Sequence, residues 1–138
     1  MADQVHFELV SPERLELSTD VEMVVVPGVE GDFGVLPGHM PVISTIRPGV
    51  IYVFRDGKVS DRIFVEGGFA EVTQESCTVL AEHAKSVAEI DRDKAAQAAQ
   101  DAKEDAEDAK DDIAKERATK TLAIAEARLA AITEASVY

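Results

Sequence analysis

All five prolines and all eight glycines of this 138-residue chain lie before residue 69, and from Phe69 to Tyr138 there is neither. Proline withholds an N–H and fixes φ, while glycine opens φ > 0, so both mark turns and both interrupt helices. The distribution predicts a turn-rich β domain over residues 1–85 and an uninterrupted helical domain over residues 86–138.

Short alternating apolar runs fill the first part. Val5, Phe7 and Leu9 alternate with His6 and Glu8, and Leu15 and Leu17 alternate with Arg14, Glu16 and Ser18. Val21–Val26 is β-branched and nearly continuous, as expected of a strand buried on both faces. Further runs cover Val42–Ile46, Val50–Phe54, Ser60–Val65, Phe69–Thr73 and Cys77–Ala81. Asp56-Gly57 is the signature of a tight hairpin turn, and Gly67-Gly68 that of a bulge or a corner between sheets. Eight or more short strands at this spacing indicate a sandwich or flattened barrel.

Between two of these runs lies the segment Pro27–Pro41, with four glycines and three prolines in fifteen residues. That is more punctuation than an ordinary hairpin carries. It reads as one shaped loop anchored by Phe33, Val35 and Leu36, either a binding surface or a long strand-to-strand connection.

The helical part begins near Ser86–Asp91. Ser86 and Glu89 have capping-box spacing, and Ile90 precedes a second candidate N-cap, Asp91. Ala95, Ala99, Ala102, Ala106, Ala109 and Ile113 form a heptad seam, and Ala118, Leu122, Ala125, Leu129 and Ile132 form another, out of phase with the first. The break falls at Lys110-Asp111-Asp112, where aspartate can cap a new helix, so an antiparallel two-helix hairpin is predicted. An alanine seam holds weakly, because a buried methyl contributes ~0.8 kcal/mol against ~1.5–3 for Leu, Ile or Phe. Nothing in the residues forbids straightening, and one helix from Ile90 to Thr133 would span roughly 66 Å at ~1.5 Å per residue.

Charge narrows the function classes. With 27 acidic and 14 basic side chains the net charge is −13, which repels nucleic acid and anionic lipid. A role at a membrane would require another protein to hold the chain there. No apolar run approaches the ~18–20 residues of a membrane span, and Met1-Ala2-Asp3-Gln4 does not open a signal peptide. The lone Cys77 is expected as a buried strand residue in a reducing compartment.

Motifs for chemistry are missing. There is no G-x-x-x-x-G-K-[ST], G-x-S-x-G or H-E-x-x-H. His6, His39 and His83 are far apart and read as surface or capping residues, and an all-β metalloenzyme of the cupin kind would need a histidine pair two residues apart. Seven acidic residues between Asp101 and Asp112 read as a solvated helix face. No catalytic residue, metal or cofactor is expected.

The segment Gly28–Pro41, with its G-x-E-G-D-F-G-V-L-P-G-H-x-P pattern, carries a resemblance together with Arg47-Pro48-Gly49, Val65–Val72, Val79–Glu82 and Glu89-Ile90-Asp91. Across essentially the whole chain the sequence resembles the epsilon subunit of bacterial F-type ATP synthase. The resemblance implies a ten-stranded flattened β-sandwich followed by a two-helix hairpin, in a non-catalytic rotor subunit of the central stalk. The β domain would clamp the gamma subunit and rest on the c-subunit ring, with Glu30, Gly31, Asp32 and His39 carried over to the ring contact. The complex would sit on the cytoplasmic face of the bacterial inner membrane, this chain being peripheral.

The hairpin resembles the family's regulatory element, which can extend along gamma toward the alpha and beta subunits and obstruct ATP hydrolysis. Members that lock it with ATP use I/L-D-x-x-R-A and an arginine pair four apart on the second helix. Here Lys94 replaces the first arginine, and Ile124 and Arg128 occupy the pair. Asp91, Lys94 and Arg128 are thus the candidate nucleotide contacts, but lysine lacks the planar fork that grips phosphate, so weak or absent ATP binding is expected. Only Lys103 and Lys110 are basic between Asp101 and Asp112, against Lys115, Arg117, Lys120 and Arg128 on the second helix, so inhibition should be modest. The alternative function is a free-standing adaptor or chaperone that uses the hairpin as a docking arm.

Overall fold

The computed structural model describes residues 4–134 and 138. They fall into two compact units, one running to Val87 and including Tyr138, the other beginning at Ala88.

The first unit contains ten strands: β1 (Val5–Val10), β2 (Leu15–Val21), β3 (Met23–Gly28), β4 (Gly31–Val35), β5 (Val42–Ile46), β6 (Gly49–Arg55), β7 (Lys58–Val65), β8 (Gly68–Val72), β9 (Ser76–Ala81) and β10 (Ala84–Ser86). Their hydrogen-bonded order is β10-β7-β6-β3-β5-β8-β9-β1-β2, with β4 added on β3. Val5, Phe7 and Leu9 face inward from β1, as their alternation predicts, and join Ile51 and Val53 from β6 and Cys77, Val79 and Ala81 from β9 in one core. Val24, Val25 and Val26 of β3 are all buried, as a strand covered on both faces requires. This is the flattened β-sandwich expected, with β1 and β9 the parallel neighbours. Burial pushes the Cys77 thiol up to about 12, so a thiolate nucleophile is not available there near neutral pH.

Asp56 (φ 53°) and Gly57 (φ 74°) make the tight turn between β6 and β7, whose flanking residues Arg55 and Lys58 pair. Gly68 (φ 141°) marks a corner, where the chain leaves β7, paired with β6 and β10, and enters β8, paired with β5 and β9.

Two readings of the β region are corrected. Pro27–Pro41 is not one loop. Its first half is a two-residue hairpin: Gly28 pairs with Gly31, Pro27 with Asp32 and Val26 with Phe33, leaving Val29-Glu30 as the turn. A Cβ on Gly28 would stand 2.8 Å from the Gly31 carbonyl oxygen, so glycine here serves close strand approach rather than irregular backbone. Leu15 and Leu17 do not share a face. A register shift at Leu9/Val10 sets Leu17 opposite Leu9 but Leu15 opposite Val10, which turns Leu15 outward.

In the second unit, α1 (Arg92–Asp108) and α2 (Asp112–Thr133) pack together across a three-residue link. Asp91 and Asp111 are the N-caps, their side chains accepting from the Lys94 and Ala114 N–H at 3.0 and 2.8 Å. A 3₁₀ turn over Val87–Glu89 precedes α1, so Asp91, not Ser86, starts the helix. Ala95, Ala102 and Ala125 are buried along the seams, but Ile113 is 73% exposed. It belongs to α2, where the phase break has rotated it out of the first seam. Asp101, Glu104, Asp105, Glu107 and Asp108 are exposed, the solvated face expected. Neither helix has a basic residue in its last turn, and Glu107 and Asp108 oppose the α1 dipole.

Candidate functional site

The β3–β4 hairpin presents Val29 and Glu30 at its tip, both exposed. With Gly28, Gly31, Asp32, Phe33 and the β5 residues Ile43, Ser44 and Thr45, they line an open depression of about 460 Å³. Gly31 (φ 135°) adopts backbone that a side chain would strain, which lets β4 start directly after the tip.

Arg47 fixes this hairpin from the segment after β5. Its backbone N–H donates to Pro27 O at 2.9 Å, Nη1 to Gly28 O at 2.5 Å, and Nη2 to Asp32 Oδ1 at 2.6 Å. Asp32 Oδ2 accepts from the Tyr138 hydroxyl at 3.0 Å. Its carboxylate therefore already has partners within the β unit, while Glu30 projects from the tip.

Leu36-Pro37-Gly38-His39 is a turn of its own, closed by the His39 N–H donating to Leu36 O at 3.1 Å, with Gly38 at φ 83°. Proline followed by a positive-φ glycine is the type II pattern. His39 Nδ1 is 2.6 Å from Met40 O, and its ring centroid lies 6.5 Å from that of Phe33. The structure thus gathers Glu30, Gly31 and Asp32 into one depression and sets His39 beside it through Phe33, outside the lining.

A second feature emerges only from the strand register. Thr45 pairs with Phe69, Phe69 with Leu80, Leu80 with Val10 and Val10 with Leu15, one cross-strand row over β5, β8, β9, β1 and β2. Phe69, Leu80 and Leu15 are 55%, 51% and 54% exposed. At ~4.8 Å per strand the apolar part of the row, from Phe69 to Leu15, runs about 14 Å. An aligned apolar strip on a sheet's outer face is the kind of surface that protein contacts use, whereas scattered apolar residues are ordinary. The signal was in the alternation: Ala70 and Val72, Cys77 and Val79 point in, so Phe69 and Leu80 point out.

On the hairpin, Asp91 and Lys94 meet in the first turn of α1 through the capping bond, and Arg128 is part-buried on α2. Ala102, Asp105, Asp108, Arg117 and Thr121 contribute to an open cleft of about 380 Å³ at the link end, which contains none of these three. Among the described residues, no group of three or more His, Cys, Asp or Glu side chains is arranged to hold a metal ion, and no helix is long and apolar enough to cross a membrane.

A flattened sandwich with an apolar outer strip and a braced hairpin tip, followed by a packed helix pair, defines a two-part chain of the β-sandwich-plus-helices class. The profile of the family described as ATP synthase, Delta/Epsilon chain, beta-sandwich domain, matches residues 4–87, and the chain belongs to that family. It is 52% identical over 131 residues to the ATP synthase epsilon chain of Rhodospirillum rubrum, covering 95% of this chain and 98% of that one. The epsilon chain of Maricaulis maris is 53% identical over 127 residues, covering 92% and 95%. Among solved structures, a chain of the Euglena gracilis mitochondrial ATP synthase (OSCP/F1/c-ring) is similar at TM-score 0.84 and 26% identity, covering 94% of this chain and 82% of that one.

Proposed function

We infer that this chain is a central-stalk rotor subunit of F-type ATP synthase, non-catalytic in itself, which links the c ring to the gamma subunit. Family membership over most of the chain supports the stalk role. The exposed Phe69–Leu80–Leu15 row carries the reading of a clamped β unit, since a strip of that length needs a partner to cover it. In this reading gamma covers the row, and the hairpin tip meets the polar loops of the ring through Glu30, Gly31 and Asp32, with His39 beside them. Basic ring side chains would find Glu30 first. The chain would then sit peripherally at the cytoplasmic face of a bacterial inner membrane, held there by its partners. The test is purification of the tagged chain from its own cells. A stoichiometric complex with a gamma-like chain is expected, and recovery without one would favour the free-standing adaptor.

The helix pair would reach the alpha and beta subunits only weakly. Its buried contacts are mostly alanine methyls, and its first helix is acidic where a partner's acidic segment would call for basic residues. Deleting residues 88–138 should raise the ATP hydrolysis rate of the assembled complex by less than about twofold, a barrier change well under that of a tenfold effect. A large jump in hydrolysis would refute modest inhibition.

Nucleotide binding at Asp91, Lys94 and Arg128 should be millimolar or weaker. Asp91 is occupied as a helix cap, and Lys94 offers a point charge rather than a bidentate fork. Isothermal titration of the isolated chain with ATP checks this, and a micromolar dissociation constant would contradict it.

A further inference from the structure

The β unit includes one residue from beyond the helical segment, Tyr138. Its ring stands edge-on to Tyr52, centroids 4.7 Å apart with planes at 64°, and to Phe54 at 6.2 Å and 81°, both on β6. Its hydroxyl donates to Asp32 Oδ2 at 3.0 Å, while Arg47 Nη2 holds Asp32 Oδ1 at 2.6 Å. Edge-on geometry is the preferred arrangement of aromatic pairs, and a hydrogen bond to an ionised acceptor exceeds a neutral one.

We propose that Tyr138 is a releasable aromatic anchor on the β unit, seated against Tyr52 and Phe54 and switched by what occupies Asp32. The two groups on that carboxylate differ in how readily they leave. Arg47 is charged and is also tied to Gly28 O and Pro27 O. Tyr138 is neutral and 48% exposed. A cationic side chain arriving at the hairpin tip therefore displaces Tyr138 rather than Arg47, and by reciprocity a seated Tyr138 opposes that arrival. The displacement step rests on the tip being a docking site; the anchor does not.

Titration behaviour agrees with the geometry. Partial burial first, then the hydrogen bond to Asp32 and its negative charge, hold the Tyr138 phenol above its usual range, with Tyr52 adding and Arg47 opposing. The seat is intact below the ordinary phenol value of about 10 and is lost as pH rises through the higher one, when a phenolate would face a carboxylate.

The chain has no tryptophan and two tyrosines, so Tyr52→Phe leaves Tyr138 as the sole tyrosine emitter and keeps the edge-on ring. In the full-length Y52F protein, Tyr138 should show the anisotropy of a held side chain and a raised phenol titration. Adding Asp32→Asn should weaken seating roughly tenfold, the scale of a hydrogen bond to a charged group, and move both signals toward free tyrosine. Adding Phe54→Leu instead, which leaves the Asp32–Arg47 pair alone, should loosen Tyr138 as well. A Tyr138 that is mobile and titrates as free tyrosine in the Y52F protein, or that responds to neither added change, overturns the anchor. Argininamide, matched against sodium chloride, is the cationic probe: release in Y52F but not in the Asp32→Asn background supports the switch, and equal responses remove it. These measurements use the isolated chain, so they are independent of which partner the tip meets.

Discussion

Gly68→Ala is expected to destabilise the β unit by roughly 3–5 kcal/mol, combining strained backbone with overpacking. A Cβ at residue 68 would lie 1.9 Å from the Leu80 carbonyl oxygen and 2.9 Å from its carbon. Both are backbone atoms of β9, which is paired to β8 and to β1, so neither can yield without moving the sheet. The residue also sits at φ 141°, which an L side chain rarely adopts. Gly67 supplies the control. It too has positive φ, 133°, but a Cβ there would come no closer than 3.5 Å to the Ile46 carbonyl oxygen. Gly67→Ala should therefore carry only the backbone term, about 1–2 kcal/mol. Urea denaturation of both variants separates the two effects, and equal midpoints would show that the corner tolerates the added methyl. Against a typical domain stability of ~5–15 kcal/mol, the Gly68 change removes a large share.

The second large effect is on assembly. Phe69→Glu combined with Leu80→Glu should weaken binding to the partner that covers the outer strip by at least ~100-fold, because two adjacent central contacts become unpaired charges in a desolvated interface. Folding should be little affected. Both side chains are about half exposed, and substitutions at such positions usually lie within about ±0.5 kcal/mol. The measurement is recovery of the stalk complex from cells expressing the double variant, alongside its urea midpoint. Normal recovery of the complex would place the partner elsewhere on the β unit. A collapsed midpoint would mean that the pair stabilises the sheet rather than the contact.

How much of this was legible beforehand differs by element. The inward positions of β1 and β9 follow from period-two alternation, because each of these strands buries one face, whereas Val50–Phe54 of β6 is apolar throughout and only strand pairing decides that Ile51 and Val53 face inward. The Asp56-Gly57 turn and the Gly67-Gly68 corner follow from backbone chemistry that only glycine and a few polar residues satisfy. Both helix starts were within reach, since Asp91 and Asp111 are local caps. The hairpin at Pro27–Gly34 was misread because its glycines look like loop residues. They are there for close approach: the Gly28–Gly31 pair lets two backbones meet under Phe33, a requirement set by the opposite strand. Arg47 stands in the sequence only as part of an Arg-Pro-Gly motif, since its role as a brace depends on residues 15 to 20 positions away. The outer strip was missed for a similar reason. Phe69, Leu80 and Leu15 are single outward residues on three strands, and only the register aligns them.

The order of residues alone determined that a turn-punctuated β region precedes a continuous helical one, which side of β1 faces inward, and that aspartate caps the second helix. These are local consequences of φ limits, side-chain alternation and end-capping. The tertiary structure decided which outward residues became neighbours, that a register shift turned Leu15 to the surface, and that the Asp32 carboxylate joined Arg47 to Tyr138, 106 residues further along the chain. Those outcomes depend on strand pairing and on contacts across long stretches of sequence, where no local pattern constrains which groups meet.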